Sequence, residues 1–211
     1  MSSELVGAII GGIIGVLGTI ITQRGSRKVK ESEWRQKEYQ AKRETLTEVY
    51  KSLISIINLF PDESPNDILR NIEYAPNYCL ENYDAVFSIL DIKFKDYETQ
   101  ISIPNIDYER KNSIRTEISN INYAKEKLAV NKNSYQKAVK EYTSFIDSDK
   151  IVFDLYASRN VRSWLVRFEI IIHNVFISGY SVGDPDDPLE NTIKIYRREL
   201  INAMRKDIGI I

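Results

Sequence analysis

The sequence has little of the chemistry from which most catalytic and metal sites are built. Its 211 residues include one cysteine, Cys79, and one histidine, His173. A single cysteine excludes an intrachain disulfide and fits a reducing compartment. A single histidine excludes a multi-histidine metal site, and no cysteine cluster accompanies it. We expect no metal and no cofactor, and we predict that His173, inside the apolar stretch EIIIHNVF, is a core or interface residue.

Familiar enzyme motifs are also missing. The chain has no phosphate-binding loop, zincin helix, hydrolase elbow or kinase signature. The stretch GDPDDPLENT is acidic but lacks the ligand ladder and central glycine of a calcium-binding EF-hand. A Cys79–His173 nucleophile would need the fold to bring the two together, which nothing in the sequence indicates. The prediction is a protein that is not an enzyme.

The chain has almost equal numbers of positively and negatively charged residues. Lysine and arginine total 29 against 30 aspartates and glutamates, which gives a net charge of −1. Basic residues dominate the first 30 positions, so residues 31–211 are mildly acidic. An acidic body gives no reason to expect bulk nucleic-acid binding.

One long hydrophobic run is present, Leu5 to Thr22, with 18 residues and no charge. A helix of that length spans about 27 Å, at the short end for a transmembrane helix. A cleaved signal peptide carries its positive charge before the run, whereas here Glu4 precedes it. A core helix in water is disfavoured because the run is rich in glycine and apolar on all sides. Residues 1–23 are therefore predicted to be an N-terminal transmembrane helix.

A basic cluster directly follows this run and consists of Arg24, Arg27, Lys28 and Lys30. Basic residues remain on the cytoplasmic side and can rest on anionic headgroups. This predicts a single-pass protein of the inner (cytoplasmic) membrane, with its N-terminus outside and its body in the cytoplasm.

Small residues recur every fourth position in the run, at Gly7, Gly11, Gly15 and Thr19. Positions four apart share one helix face, and small residues let two helices approach closely in lipid. The stripe predicts self-association and a homo-oligomer, although glycine is also common in membrane helices that do not associate.

The remainder of the chain has the periodicity of helices. Residues 24–45 are mostly charged and predict a basic juxtamembrane segment and helical stalk, in which Trp34 could anchor at the headgroups or pack in the body. Residues 46–211 are predicted to form the body. Its helices are expected at about 46–60, 66–95 with an interruption at Ala75–Pro76, 107–147, 151–179 and from 188 onward.

Three details of this assignment can be checked. A break near VNKNS is the alternative to one helix over 107–147. Asp187, Pro188 and Glu190 resemble the cap, first residue and capping-box partner of the last helix. The predicted inward-facing positions include Ile114, Ile118, Ile121, Leu128, Tyr135, Val139, Tyr142 and Ile146; Val161, Leu165, Phe168, Ile172 and Val175; and Leu189, Ile193, Tyr196, Leu200 and Met204. The predicted fold class is all-α, a single transmembrane helix followed by an antiparallel four- to five-helix cytoplasmic bundle.

Arginines cluster on the last two helices. Surface solvation is one reading; the other is an anion pocket for a nucleotide or small anionic signal between the two helices, with tyrosines available for stacking. The candidate residues are Arg159, Arg162, Arg167, Arg198 and Arg205.

The layout resembles a broad set of small bacterial and prophage membrane proteins that have a glycine-rich N-terminal span, a basic stop and a helical cytoplasmic body. The ending LINAMRKDIGI, Leu200 to Ile210, is similar to an R-K-D-[LI]-G tail in such proteins. Some of them are membrane effectors of phage defence, and the channel effector of the Hailong system has this layout. No residue-by-residue match carries a binding site over.

Two functions follow as expectations. The first is an effector whose spans assemble through the glycine face into a pore or membrane-perturbing cluster, controlled by the cytoplasmic bundle. The second is a membrane-tethered scaffold or binding module with no channel activity, whose bundle docks a protein partner. The lipid bilayer is a partner in both.

Overall fold

A computed structural model describes residues 30–73, 75, 77–183, 187 and 189–210 in full, and of residues 3–29 only that their backbone belongs to the first helix. The fully described residues contain helices, turns and loops but no β-strand, which confirms the all-α prediction. Together with residues 3–29 they form seven α-helices: α1 Ser3–Ile57, α2 Pro65–Leu69, α3 Tyr83–Ile101, α4 Tyr108–Ser148, α5 Lys150–Tyr156, α6 Arg159–Phe176 and α7 Thr192–Asp207. A 3₁₀ turn, Leu80–Asn82, precedes α3.

The chain divides into two compact units, Met1–Thr47 and Glu48–Ile211. In the first unit every residue from Lys30 to Thr45 is exposed, including Trp34, whose exposed fraction is 75%. Within the described residues no helix is both long enough and apolar enough to cross a membrane. The predicted span, Leu5–Thr22, lies outside those residues.

In the second unit, α2, α3 and the first half of α4 enclose one core. Ile68 and Leu69 of α2 pack with Val86 and Leu90 of α3 and with Ile121 of α4. Tyr78, from the loop between α2 and α3, completes this core. The loop is longer than predicted, because α2 ends at Leu69 and the next α-helix begins only at Tyr83.

Helix α4 runs unbroken for 41 residues through VNKNS, or about 60 Å. One continuous helix over this region is therefore confirmed. Its buried face departs from the predicted one in the second half, where Ala138 and Phe145 are buried while Val139 and Ile146 are exposed. Real α-helices advance 3.6 residues per turn, so a strict 3–4 alternation drifts off the buried face over several turns.

The predicted helix over 151–179 is two helices. Ser158 lies between α5 and α6 with extended backbone angles, and its hydroxyl accepts a hydrogen bond from the Val161 amide, which caps α6. Its own amide donates to the carboxylate of Asp207 at the end of α7, 3.0 Å away. This contact across the fold gives the Ser158 amide a partner outside the helix.

The predicted start of the last helix is wrong. Asn191, and not Asp187, caps α7 by accepting from the Lys194 amide. Asp187 instead accepts the Leu189 amide in the preceding turn, and Leu189 is 71% exposed where an inward position was predicted. Asn191 is fully buried, and its side-chain amide is satisfied by donating to the Asp62 carbonyl, 2.7 Å away.

Polar side chains from α4 and α7 form hydrogen bonds with the end of α1 and the loop after it, residues 57–63. Arg197 of α7 donates to the carbonyls of Ile57 and Phe60 at 3.1 and 2.7 Å and forms an ion pair with Asp62. Asn131 of α4 donates to the Glu63 carbonyl at 2.7 Å. These contacts hold residues 57–63 against α7 and α4.

Candidate functional site

An apolar pocket lies between the end of α1, the second half of α4, and α6. Its volume is about 170 Å³. The lining residues are Ile57, Phe60, Tyr135, Val139, Tyr142, Leu165, Phe168, Glu169, Ile172 and His173. We refer to this cavity as the apolar pocket.

The floor of the apolar pocket is aromatic. Phe60 meets Tyr135 and Phe168 edge to face, with ring centroids 6.1 and 5.7 Å apart. Such offset and T-shaped pairs are the favoured aromatic geometry and hold the rings in place. Leu165 and Phe168 reach this floor because they lie on the buried stripe of α6, as their 3–4 spacing predicts.

Polar groups line the same pocket from α4 and α6. Glu169 and His173 are one turn apart on α6, and the Tyr142 hydroxyl of α4 donates a hydrogen bond to Glu169. The exposed or half-buried lining residues are Val139, Tyr142, Glu169 and His173, so these four form the mouth. Burial and the hydrogen bond to Glu169 raise the pKa of the Tyr142 phenol well above its ordinary value, so it stays a donor.

His173 is not the core residue that its apolar neighbours indicate. Ile172 lies on the buried stripe of α6, and the next residue points about 100° away around the helix. His173 is therefore exposed, at the mouth of the apolar pocket. Cys79 is partly buried in the loop before the 3₁₀ turn and is not among the lining residues, so the pocket does not pair it with His173.

The predicted anion-site arginines do not come together as one group. Arg198 and Arg205 share a shallow depression on α7, of about 280 Å³, with Lys194, Arg197 and Asn202. No residue of α6 lines this depression. Arg159 and Arg162 are exposed on α6, and the exposed Arg167 lies over the Trp164 ring, 4.9 Å from its centroid.

Most of the predicted membrane residues lie outside the described part of the chain. Gly7, Gly11, Gly15 and Thr19, and the basic residues Arg24, Arg27 and Lys28, lie outside the described residues. Lys30, the last member of the basic cluster, is described and exposed.

The acidic loop before α7 is only partly described. Asp184, Asp186 and Pro188 lie outside the described residues, while Asp187 and Glu190 lie within them. In the part of the chain that the structure describes, no three histidine, cysteine or carboxylate side chains are grouped so as to hold a metal ion.

The tail that carries the family resemblance has a structural role in the described residues. Gly209 follows α7 with φ of +69°, and the amides of Gly209 and Ile210 bond back to the carbonyls of Lys206 and Arg205. This pattern is a Schellman cap, in which glycine is preferred. Asp207 accepts hydrogen bonds from the Tyr50 hydroxyl and the Ser158 amide, so it joins α7 to α1 and to the start of α6.

Comparison of the chain with protein-family models, with curated proteins and with solved structures gives no match. The geometry and chemistry of its own residues therefore carry the functional argument.

Proposed function

We propose that this protein is a membrane-tethered helical binding module whose body takes up a ligand in the apolar pocket. The observation that carries the proposal is the pocket itself, an aromatic floor with a carboxylate, a phenol and an imidazole at its mouth. Ligand sites in proteins are mostly apolar concavities with a few placed polar groups. The proposal includes no catalytic step and no cofactor.

Toluene tests whether the apolar pocket takes up a ligand, because an apolar cavity of about 150 Å³ accommodates benzene. Full-length protein in nanodiscs would be titrated with toluene and followed by methyl NMR of its isoleucine, leucine and valine residues. We expect saturable shifts of Ile57, Leu165 and Ile172. Empty nanodiscs account for partition of toluene into lipid.

Val139→Trp supplies the blocking variant for this titration. Val139 is at the mouth with 39% of its surface exposed, so a larger ring can cover the entrance without displacing core residues. Val130→Trp is the matched control, since Val130 is an exposed position on the same helix outside the pocket. Toluene binding should disappear in the first variant and persist in the second. Equal binding in both variants would remove the pocket as the site.

The tether in this proposal is the run Leu5–Thr22, with the N-terminus outside and the body in the cytoplasm. Support comes from the uncharged run and the basic cluster after it. Cys79 is the single cysteine, so Cys79→Ser gives a background for introduced thiols. In intact bacterial cells a membrane-impermeant thiol reagent should label Ser3→Cys, and it should label Glu33→Cys only after permeabilisation. Labelling of both in intact cells would refute this topology.

A second candidate function is the self-associating effector, an oligomeric pore or membrane-perturbing assembly of the phage-defence type. The observation that favours it is glycine at every fourth position, Gly7, Gly11 and Gly15, followed by Thr19. Gly11→Ile should convert a defined oligomer into monomer in nanodiscs, as measured by mass photometry, while membrane insertion is retained. A wild-type monomer would exclude the pore and leave the binding module. An anionic signal at Arg198 and Arg205 is a further prediction of this candidate.

A further inference from the structure

The polar groups at the mouth of the apolar pocket select one sign of charge. Glu169 is the one acidic side chain among the residues that line the pocket, and it accepts a hydrogen bond from Tyr142. A carboxylate has about four acceptor positions, so one phenol does not saturate it. None of the ion pairs between described residues involves Glu169. The mouth therefore combines a carboxylate that has unused acceptor positions with a phenol and an imidazole.

We propose that the apolar pocket binds a primary arylalkyl amine, with the aromatic ring on the floor and the ammonium group at Glu169. This inference rests on the proposed function, since it names the ligand class for the same pocket. Two separate features of the site indicate the aromatic part of the ligand and its charged head group.

The size and the lining of the pocket indicate that the ligand has an aromatic ring. About 170 Å³ is close to the cavity volume that takes up a benzene ring. Phe60, Tyr135 and Phe168 present ring edges and faces to that space. A ligand ring packed against them gains the edge-to-face contacts that aromatic groups favour.

The hydrogen-bond acceptors at the mouth of the pocket indicate that the head group of the ligand is an ammonium group. An ammonium group has three N–H donors. Glu169 and the lone pairs of the Tyr142 oxygen can accept them, and the Tyr142 ring is an aromatic group at the mouth that suits a cation–π contact. A carboxylate or phosphate head would meet the Glu169 charge at short range and is disfavoured. Fatty acids and acidic signals are therefore expected to bind weakly in the apolar pocket.

Three ligands of nearly equal shape separate the head groups: 2-phenylethylamine, 2-phenylethanol and 3-phenylpropanoate. Each would be titrated calorimetrically into full-length protein in nanodiscs of zwitterionic lipid, with empty nanodiscs as the blank. Zwitterionic lipid prevents the amine from concentrating on anionic headgroups. We expect the amine to bind about tenfold more tightly than the alcohol, because a charge-assisted hydrogen bond contributes that much, and the carboxylate to bind most weakly.

Substitutions at the mouth test the role of the charge. Glu169→Gln keeps the shape of the side chain and an oxygen for the Tyr142 hydroxyl, so it should weaken amine binding about tenfold and leave the alcohol unchanged. Tyr142→Phe keeps the charge and should retain the preference for the amine. Glu141→Gln is the matched control, because Glu141 is exposed on α4 outside the pocket, and it should change neither ligand.

The outcomes separate this inference from the proposed function. Equal affinity for amine and alcohol, or unchanged amine binding by Glu169→Gln, overturns the amine inference. If toluene still binds in that case, the pocket remains a ligand site and the proposed function stands. If neither toluene nor any of the three ligands binds, both fall. Tightest binding by 3-phenylpropanoate also overturns the amine inference.

Discussion

At the scale of single residues, Gly179 occupies a position that no side chain fits. It follows α6 with φ of +75°, and a Cβ built on it would lie 2.4 Å from the Tyr78 carbonyl oxygen. The side-chain amide of Asn66 donates to the carbonyls of both Gly179 and Tyr78. Since 113 residues separate Asn66 from Gly179, no local sequence pattern identifies this junction.

We predict that Gly179→Ala lowers the free energy of unfolding by roughly 2–4 kcal/mol. A left-handed backbone costs a residue with a Cβ about 1–2 kcal/mol, and the added contact with the Tyr78 carbonyl forces a further shift. Gly209→Ala is the matched control, because Gly209 has φ of +69° with no atom within 4 Å of its Cβ position. It should cost only the backbone term, about 1 kcal/mol. Equal losses in urea unfolding would show that the Tyr78 contact does not matter.

Tyr50 gives a prediction for pH dependence. It is fully buried, and its hydroxyl donates to Asp207, so burial first and then the hydrogen bond raise its pKa well above the ordinary value. The unfolded chain releases this proton near pH 10, while the folded chain keeps it. Above pH 10 the unfolded state therefore binds fewer protons, and stability falls as pH rises.

Tyr50→Phe removes this contribution to the pH dependence. Between pH 10 and 11.5 the wild type should lose about 1.4 kcal/mol more per pH unit than the variant. Urea midpoints measured across that range give the two slopes, and the comparison of slopes cancels the constant cost of the lost hydrogen bond. Identical slopes would mean that Tyr50 ionises in the folded protein as it does in the unfolded chain.

At the scale of helices, periodicity predicts most of what is local. The buried stripe of α6 (Val161, Leu165, Phe168, Ile172 and Val175) and the continuity of α4 both follow from apolar spacing. Periodicity does not predict the helix ends at which side chains form hydrogen bonds with residues distant in the sequence. At the break, the Ser158 amide donates to Asp207, 49 residues away, and at the start of α7 the Asn191 side chain donates to the Asp62 carbonyl, 129 residues away.

Asn131 shows a tertiary contact that outweighs helix propensity. It lies in VNKNS, where a break was the alternative, but its side chain is buried and donates to the Glu63 carbonyl. Alanine is a better helix former than asparagine by about 0.5 kcal/mol, so propensity alone predicts that Asn131→Ala stabilises. We expect a net loss of about 1 kcal/mol instead, because the partly buried hydrogen bond to the Glu63 carbonyl is lost.

Asn133→Ala is the control for Asn131→Ala. Asn133 is exposed on the same stretch of α4, so only helix propensity changes there, and stability should rise by about 0.5 kcal/mol. Thermal and urea unfolding of the pair measure the difference. Stabilisation by both substitutions would mean that the hydrogen bond to Glu63 contributes nothing net.

At the scale of the whole molecule, the sequence alone does not predict the apolar pocket. Its walls come from residues 57–60, 135–142 and 165–173, and only the fold brings these segments together. Glu169 and His173 are polar residues one turn apart in the most apolar helix, a pattern that fits a pocket mouth as well as a buried histidine.

The division into two units gives a prediction about limited proteolysis of the full-length protein. Lys37 and Lys42 lie in the segment Lys30–Thr45, where every residue is exposed. A solvated helix without a packed face opens locally at low cost, whereas lysines in the second unit lie on helices held by a core. Brief digestion by endoproteinase Lys-C should therefore cut here first and yield a stable fragment that begins at Arg43.

Sedimentation of the digested membranes then tests the tether. If the run Leu5–Thr22 is the attachment, the fragment from Arg43 should move to the supernatant with its helical circular dichroism and its toluene binding intact. First cuts inside residues 48–211 would contradict an independently stable second unit. A folded fragment that remains with the membranes would mean that the body itself binds lipid, and Leu5–Thr22 would not be the sole attachment.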